Sequence, residues 1–204
     1  MRRIALGLLA SVALWGCGQQ GGDPGGITAD RLLAAAGDSE NWLTYGRTYD
    51  EQRFSPLDKV NAANVNELGL AWHADLDTAR GQEATPIVID GKIYITTAWS
   101  KVKAYDGVTG KLLWEYDPEV PGETGVKACC DVVNRGLAAW GDRLFLGTLD
   151  GRLVALDRDT GKEVWSKVTV DQSQPYTITG HHRRQGDHRQ WRRRNGRARL
   201  CRRL

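Results

Sequence analysis

Cys129 and Cys130 stand side by side in KACCDVVNRG, residues 127–136, with Arg135 close behind. The chain has four cysteines, but Cys17 falls in an apolar leader and Cys201 in an arginine-rich tail, so only this pair lies in the body. As residues alone, adjacent thiols read as two unpaired side chains on opposite faces of a strand. Glu83, in GQEATP, and Arg135 read by themselves as a solvated loop carboxylate and a surface guanidinium. Whether these groups do chemistry depends on the elements that bring them together.

Those elements repeat. Residues 104–114, AYDGVTGKLLW, match residues 155–165, ALDRDTGKEVW, at an offset of 51, with six identities ending in Trp114 and Trp165. Each copy follows alternating apolar residues around a Gly-containing turn, ATPIVIDGKIYITTA before the first and NRGLAAWGDRLFLGT before the second. That pattern predicts strand, hairpin, strand. D-x-x-T-G-K is a further tight turn, in which Asp bonds its own backbone and Gly accepts positive φ. Each copy thus predicts four short antiparallel strands, a β-propeller blade rather than a helical solenoid unit. A β-sandwich with two similar hairpins is the plainer alternative. Ala71-Trp72 resembles the tryptophan strand of a further, divergent blade.

The two ends differ from the body. Arg2 and Arg3, the run IALGLLASVALWG and Cys17 form a secretory signal over residues 1–17. Leu14-Trp15-Gly16-Cys17 resembles a lipobox, so either a lipid anchor at Cys17 or plain secretory cleavage is expected. Residues 18–40, opening with GQQGGDPGG, read as a tether. Export implies an oxidising compartment in which cysteines can stay paired. The net charge of +3 hides an asymmetry: residues 181–204 hold ten Arg, no Lys and one acid, which leaves 18 basic against 24 acidic residues elsewhere, a net charge of −6.

On these residues the chain resembles the N-terminal part of a pyrroloquinoline quinone (PQQ)-dependent alcohol dehydrogenase of the methanol/ethanol dehydrogenase type. WLTYGRTYDEQRFSPLDKVNAANVNELGLAW resembles that family's opening segment, the two A-x-D-x-x-T-G-K-x-x-W copies its tryptophan-docking motifs, and GQEATP and CCDVVNRG its cofactor-side motifs. The resemblance implies an all-β fold, a partial propeller over residues 41–180 of a roughly eight-bladed whole. It implies that Cys129 and Cys130 form a disulfide ring packed on one face of the flat quinone. Such a ring would be unusual, because consecutive Cα atoms lie 3.8 Å apart, below the roughly 4.4 Å lower end for ordinary disulfides. The same resemblance places Glu83 at the polar rim of PQQ and Arg135 opposite one of its three carboxylates, where a rigid donor fork suits the charge. Thr179, in QPYTITG, is a further cofactor contact by resemblance.

After Gly180 the resemblance stops. The family continues with a GNGGAE-like segment that supplies a Glu ligand for Ca²⁺ or a lanthanide; here the chain turns arginine-rich. A nucleic-acid-binding tail, a solvated tail and a reading-frame shift compete. Ten arginines would condense on phosphates, but an exported protein meets no nucleic acid partner. Reading HRQW, His188 to Trp191, one base later forces Asn or Ser followed by Gly, as the missing segment requires. A frameshift near codon 181 is therefore expected. The full-length parent would be a periplasmic enzyme oxidising a primary alcohol to an aldehyde, with electrons passed to a cytochrome c. This chain carries cofactor-binding residues but neither catalytic base nor metal ligands, and the expectation is that it is inactive. The alternative is a non-enzymatic propeller lipoprotein scaffold of the outer-membrane assembly class, which would have no use for CCDVVNRG or GQEATP.

Overall fold

Alternation of buried and exposed side chains over residues 87–96 and 138–147 builds two hairpins, and each grows into a four-stranded antiparallel sheet. The computed structural model describes residues 25–128 and 130–174. The first sheet runs in order β1 (Ile87–Ile89), β2 (Lys92–Thr96), β3 (Val102–Asp106), β4 (Leu112–Tyr116). The second repeats it as β5 (Ala138–Trp140), β6 (Arg143–Gly147), β7 (Arg152–Asp157), β8 (Glu163–Val168). The repeat extends to the irregularities: the register shifts after Ala104 in the first sheet and after Ala155, 51 residues later, in the second. These are the propeller blades expected from the repeat.

The inner faces share one core. Ile87, Ile89, Tyr94, Val102 and Ala104 of the first sheet pack with Ala139, Leu144, Leu146, Val154 and Leu156 of the second. A large aliphatic side chain so buried contributes about 1.5–3 kcal/mol. A smaller cluster of Ala98, Val132 and Leu149 lies under the loops, with Trp99 and Val120 against it.

The tryptophans tie neighbouring units together. Trp114 donates its indole N–H to the carbonyl of Arg158 at 3.2 Å, and Trp72 donates to Gly107, the residue equivalent to Arg158, also at 3.2 Å. Each indole lies flat against a turn glycine. A Cβ added to Gly161 would sit 2.4 Å from Trp114, and one added to Gly110 would sit 2.5 Å from Trp72. Both glycines also have positive φ, +70° and +72°, so the turn needs glycine for its backbone and for the ring above it. The Asp at the head of each turn completes it. Asp106 accepts from the Thr109 N–H at 2.7 Å and the Thr109 hydroxyl at 2.8 Å; Asp157 accepts from the same groups of Thr160 at 2.9 and 2.7 Å.

Two expectations are corrected. The tether does not extend to residue 40: Ile27, Leu32 and Ala35 are buried, and residues 29–33 form a short helix, α1 (Ala29–Leu33). The segment ITADRLLAAAG has a capping Thr28, whose hydroxyl accepts from the Arg31 N–H at 3.2 Å. Its apolar face gives it a reason to pack that glycine-rich GQQGGDPGG lacks. Two-way backbone bridges fasten it, Ile27 to Gly141 and Trp42 to Val88. Trp72, in turn, docks as a blade tryptophan but is not in a strand. An extended segment becomes a strand only with a ladder partner, and residues 68–76 have none among the described residues.

Between α1 and Trp72 the chain is irregular and is organised by buried Arg47. Its guanidinium donates to the carbonyls of Ala36, Asp38 and Phe54 at 3.3, 2.8 and 3.3 Å, so an apparently polar segment closes around one cation.

Candidate cofactor-binding edge

Two loops at one end of the blades carry the sequence-predicted residues. The first, residues 77–86, leads into β1; the second, residues 128–137, follows a single helical turn, α2 (Thr124–Lys127), and leads into β5. They meet along their length. The Glu83 carboxylate lies 2.9 Å from Nη2 of Arg135, both side chains being a little under half exposed. Arg80 and Asp131 form a second ion pair of opposite polarity, 51 residues apart in sequence. Between the two pairs a Cβ on Gly81 would meet the Val133 side chain at 3.3 Å, so the loops touch through backbone as well as charge. Gln82 donates to the Thr96 carbonyl at 2.8 Å and anchors the first loop to β2.

The second loop is fixed from beneath. Val132, Val133 and Asn134 are buried, whereas Arg135 reaches the surface. The Val132 carbonyl accepts from the Trp99 N–H at 2.9 Å, and the Asn134 amide donates to the Gly147 carbonyl at 2.8 Å. Asp131 has φ of +61°, a conformation that Asp tolerates better than most residues.

The predicted site residues therefore divide. Glu83 and Arg135, 52 positions apart in sequence, are brought into contact. Cys130, earlier in the second loop, is exposed and has no disulfide partner among the described residues. Its expected partner Cys129 lies outside the described residues, as do Thr179, Cys17 and the arginine-rich tail. The sequence reading passed over Arg80, Asp131 and Asn134. Asn134 was detectable: N-x-G, here Asn134-Arg135-Gly136, is the signature of a turn in which an Asn side chain bonds the backbone two residues on.

An open groove of about 530 Å³ adjoins this edge, lined among others by Asp77, Arg80, Thr97, Trp99 and Lys101. Its cations are engaged. Arg80 pairs with Asp131, and Lys101 lies 2.8 Å from Asp117, whose hydrogen bond holds the Lys101 ammonium above its ordinary range. Among the described residues no group of three His, Cys, Asp or Glu side chains is placed to hold a metal ion.

What the edge offers is a guanidinium fork, a carboxylate and a thiol, open to solvent on one side and rigid beneath. A fork of that kind takes a carboxylate, and a carboxylate accepts from an N–H.

Comparison with known proteins places the fold in a family. The family model described as the β-propeller domain of glucose/ethanol/alcohol dehydrogenases, PQQ type, matches residues 42–171. Similarity to a 1-butanol dehydrogenase (cytochrome c) of Thauera butanivorans is 54% identity over 155 residues, 76% of this chain and 22% of that protein. The crystal structure of quinohemoprotein alcohol dehydrogenase from Comamonas testosteroni superposes with a TM-score of 0.72 at 49% identity, over 75% of this chain and 23% of that one. A europium-containing methanol dehydrogenase superposes at 0.69 with 36% identity, over 74% of this chain and 27% of that one. The chain thus spans about a quarter of the length of the proteins it matches.

Proposed function

Because the chain belongs to the PQQ-dependent alcohol dehydrogenase family, we propose that its loop edge is one part of the wall of a PQQ site, in an exported enzyme that oxidises a primary alcohol to the aldehyde and passes the electrons to a cytochrome c. The observation that carries this reading is the Glu83–Arg135 contact. Two residues assigned to one cofactor come from loops far apart in sequence, and they meet at an open, polar edge. The names of the relatives support the alcohol and the cytochrome.

When bound, PQQ supplies the two-electron redox chemistry of alcohol oxidation; the protein's share is binding, orientation and electrostatics. Arg135 holds a carboxylate through its donor fork, and Glu83 keeps that fork turned towards the edge while its other oxygen accepts from the ligand rim. Cys129 and Cys130 form the ring on which the flat face rests, and Thr179 closes the rim from the following segment. The described residues do not supply a metal site. A Ca²⁺ or lanthanide ion of the longer enzyme would be held by residues outside them. The leader places the enzyme in the periplasm, with a lipid anchor at Cys17 as the alternative to plain cleavage. The 204-residue chain alone is read as inactive, since no metal site is present among the described residues.

Titration of the purified chain with PQQ, followed by tryptophan fluorescence, tests this. Saturable quenching is expected, weakened at least tenfold in Arg135→Ala. Absence of saturable binding by the wild-type chain would overturn the reading. Turnover of ethanol by the chain with PQQ and Ca²⁺ would overturn the inactivity.

A further inference from the structure

We infer that Asn134 is the positioning residue for Arg135, and that Ser100, from the neighbouring blade, pins Asn134 in place; the inference deepens the cofactor-edge reading and rests on it. Asn134 is 2% exposed, and each polar atom of its side chain is used. Its amide nitrogen donates to Ser100 Oγ at 3.1 Å and to the Gly147 carbonyl at 2.8 Å. Its Oδ1 accepts from the Gly136 N–H at 3.0 Å. That last bond spans two residues and closes a ring over the backbone of Arg135, which thus sits at the centre of an Asx turn. Both backbone torsions of Arg135, which set the direction of its Cα–Cβ bond, are enclosed by the Asn134 side chain.

The clamp is anchored at unusual backbone. Ser100 is fully buried at φ +60° and follows Trp99 at φ +62°. Two consecutive left-handed residues, neither of them glycine, are unfavourable and persist only where surrounding contacts hold them. Here the result is a hydroxyl oxygen placed between the blades, where it accepts from Asn134 and from the Leu149 N–H at 3.1 Å. On the far side of Arg135, Gly136 has φ +124°, and a Cβ there would lie 3.1 Å from the Thr85 carbonyl. The guanidinium reaches Glu83 at 2.9 Å from a backbone held on both flanks. Asn134 itself is too deeply buried to touch a ligand, so it acts through its neighbour.

A double-mutant cycle separates positioning from packing. PQQ affinity is measured for the wild-type chain, Asn134→Ala, Arg135→Ala and the double variant, with thermal midpoints alongside. Asn134→Ala is expected to weaken PQQ at least tenfold when Arg135 is present and less than twofold when it is Ala, while its thermal penalty is the same in both backgrounds. Equal losses of affinity in both backgrounds, or none in either, would overturn the inference. Ser100→Ala, which leaves the Asx turn in place, is the second variant should Asn134→Ala not fold; a smaller, Arg135-dependent loss is expected, and an Arg135-independent one refutes. The NMR signal of the Arg135 Nε–H gives a readout without ligand. It should be distinct in the wild type and averaged towards exposed arginines in the variant, and an unchanged signal would refute. Should the wild-type chain bind no PQQ, the cofactor reading fails by itself, and the Nε–H signal still decides whether Asn134 aims Arg135.

Discussion

Gly161→Ala probes the contact on which the two sheets depend. Holding an alanine left-handed costs about 1–2 kcal/mol. The new methyl would start 2.4 Å from Trp114 Cε3 and 2.6 Å from Cδ2. Carbon atoms rest about 3.5–4 Å apart, so the indole must retreat by roughly 1 Å. Retreat stretches the Trp114 donation to the Arg158 carbonyl beyond its 3.2 Å, losing about 1 kcal/mol, and the forced repacking costs about 1–3 kcal/mol. The expected destabilisation is about 3–6 kcal/mol, a large part of a small domain's total. Two other glycines divide the effect into its parts. Gly91 has φ +76° with open space around its Cβ position, so Gly91→Ala should lose only the backbone share, about 1–2 kcal/mol. Gly122 has neither positive φ nor a neighbour within 4 Å, and its replacement should stay within about 0.5 kcal/mol. Urea unfolding followed by tryptophan fluorescence and far-ultraviolet dichroism reads all three, with the midpoint moving and the slope constant. If Gly161→Ala lost no more than Gly91→Ala, the indole would not be seated on the turn, and the account of how the units are joined would fall.

Two further outcomes follow from the same structure. Asp157 and Asp106 lie below the ordinary 3.8, the first chiefly through the Thr160 hydroxyl, the second chiefly through the Thr109 N–H. Because the folded values are depressed, their stabilisation is present above the ordinary carboxylate value and disappears as pH falls through the folded one; Asp157→Asn should flatten the acid limb of a melting-temperature profile below about pH 4, and an unchanged limb would refute this. Tyr94 is 1% exposed, and its hydroxyl has no partner among the described residues, so burial raises its pKa and keeps it neutral. Tyr94→Phe is therefore expected to be neutral or to stabilise by about 1 kcal/mol, and a loss of that size in thermal unfolding would mean the hydroxyl is satisfied after all.

Repetition made the blades legible. Two turns with the same Asp, Thr, Gly and Trp at one offset required the same backbone twice, and the structure agrees down to the bulge after Ala104 and Ala155. Glu83 and Arg135 were singled out through the motifs around them, and the structure brings their side chains to 2.9 Å of one another. What escaped was information held in three dimensions. Nothing in ITADRLLAAAG says which surface its apolar face will meet, so residues 27–40 read as part of a tether. Trp72 has the right neighbours in sequence for a strand, but a strand is a property of two chains side by side. Asn134 carried a local signal, N-x-G, yet its burial and its bond to Ser100 depend on where the preceding blade places that hydroxyl.

The fastening of the segment around Ile27 sets a timetable for folding. Ile27 bridges to Gly141, and Gly25 accepts from Arg158 at 3.0 Å, separations of 114 and 133 residues. A nascent chain grows by about 5–20 residues per second, so this segment waits roughly 6 to 27 seconds for its partners to be made. During that interval Ile27, Leu32 and Leu43 have no core to enter, and the closure of so long a loop comes late and slowly. The segment from Gly25 to Leu43 is thus among the last parts of the described structure to fold, and its burial reports completion of the second blade.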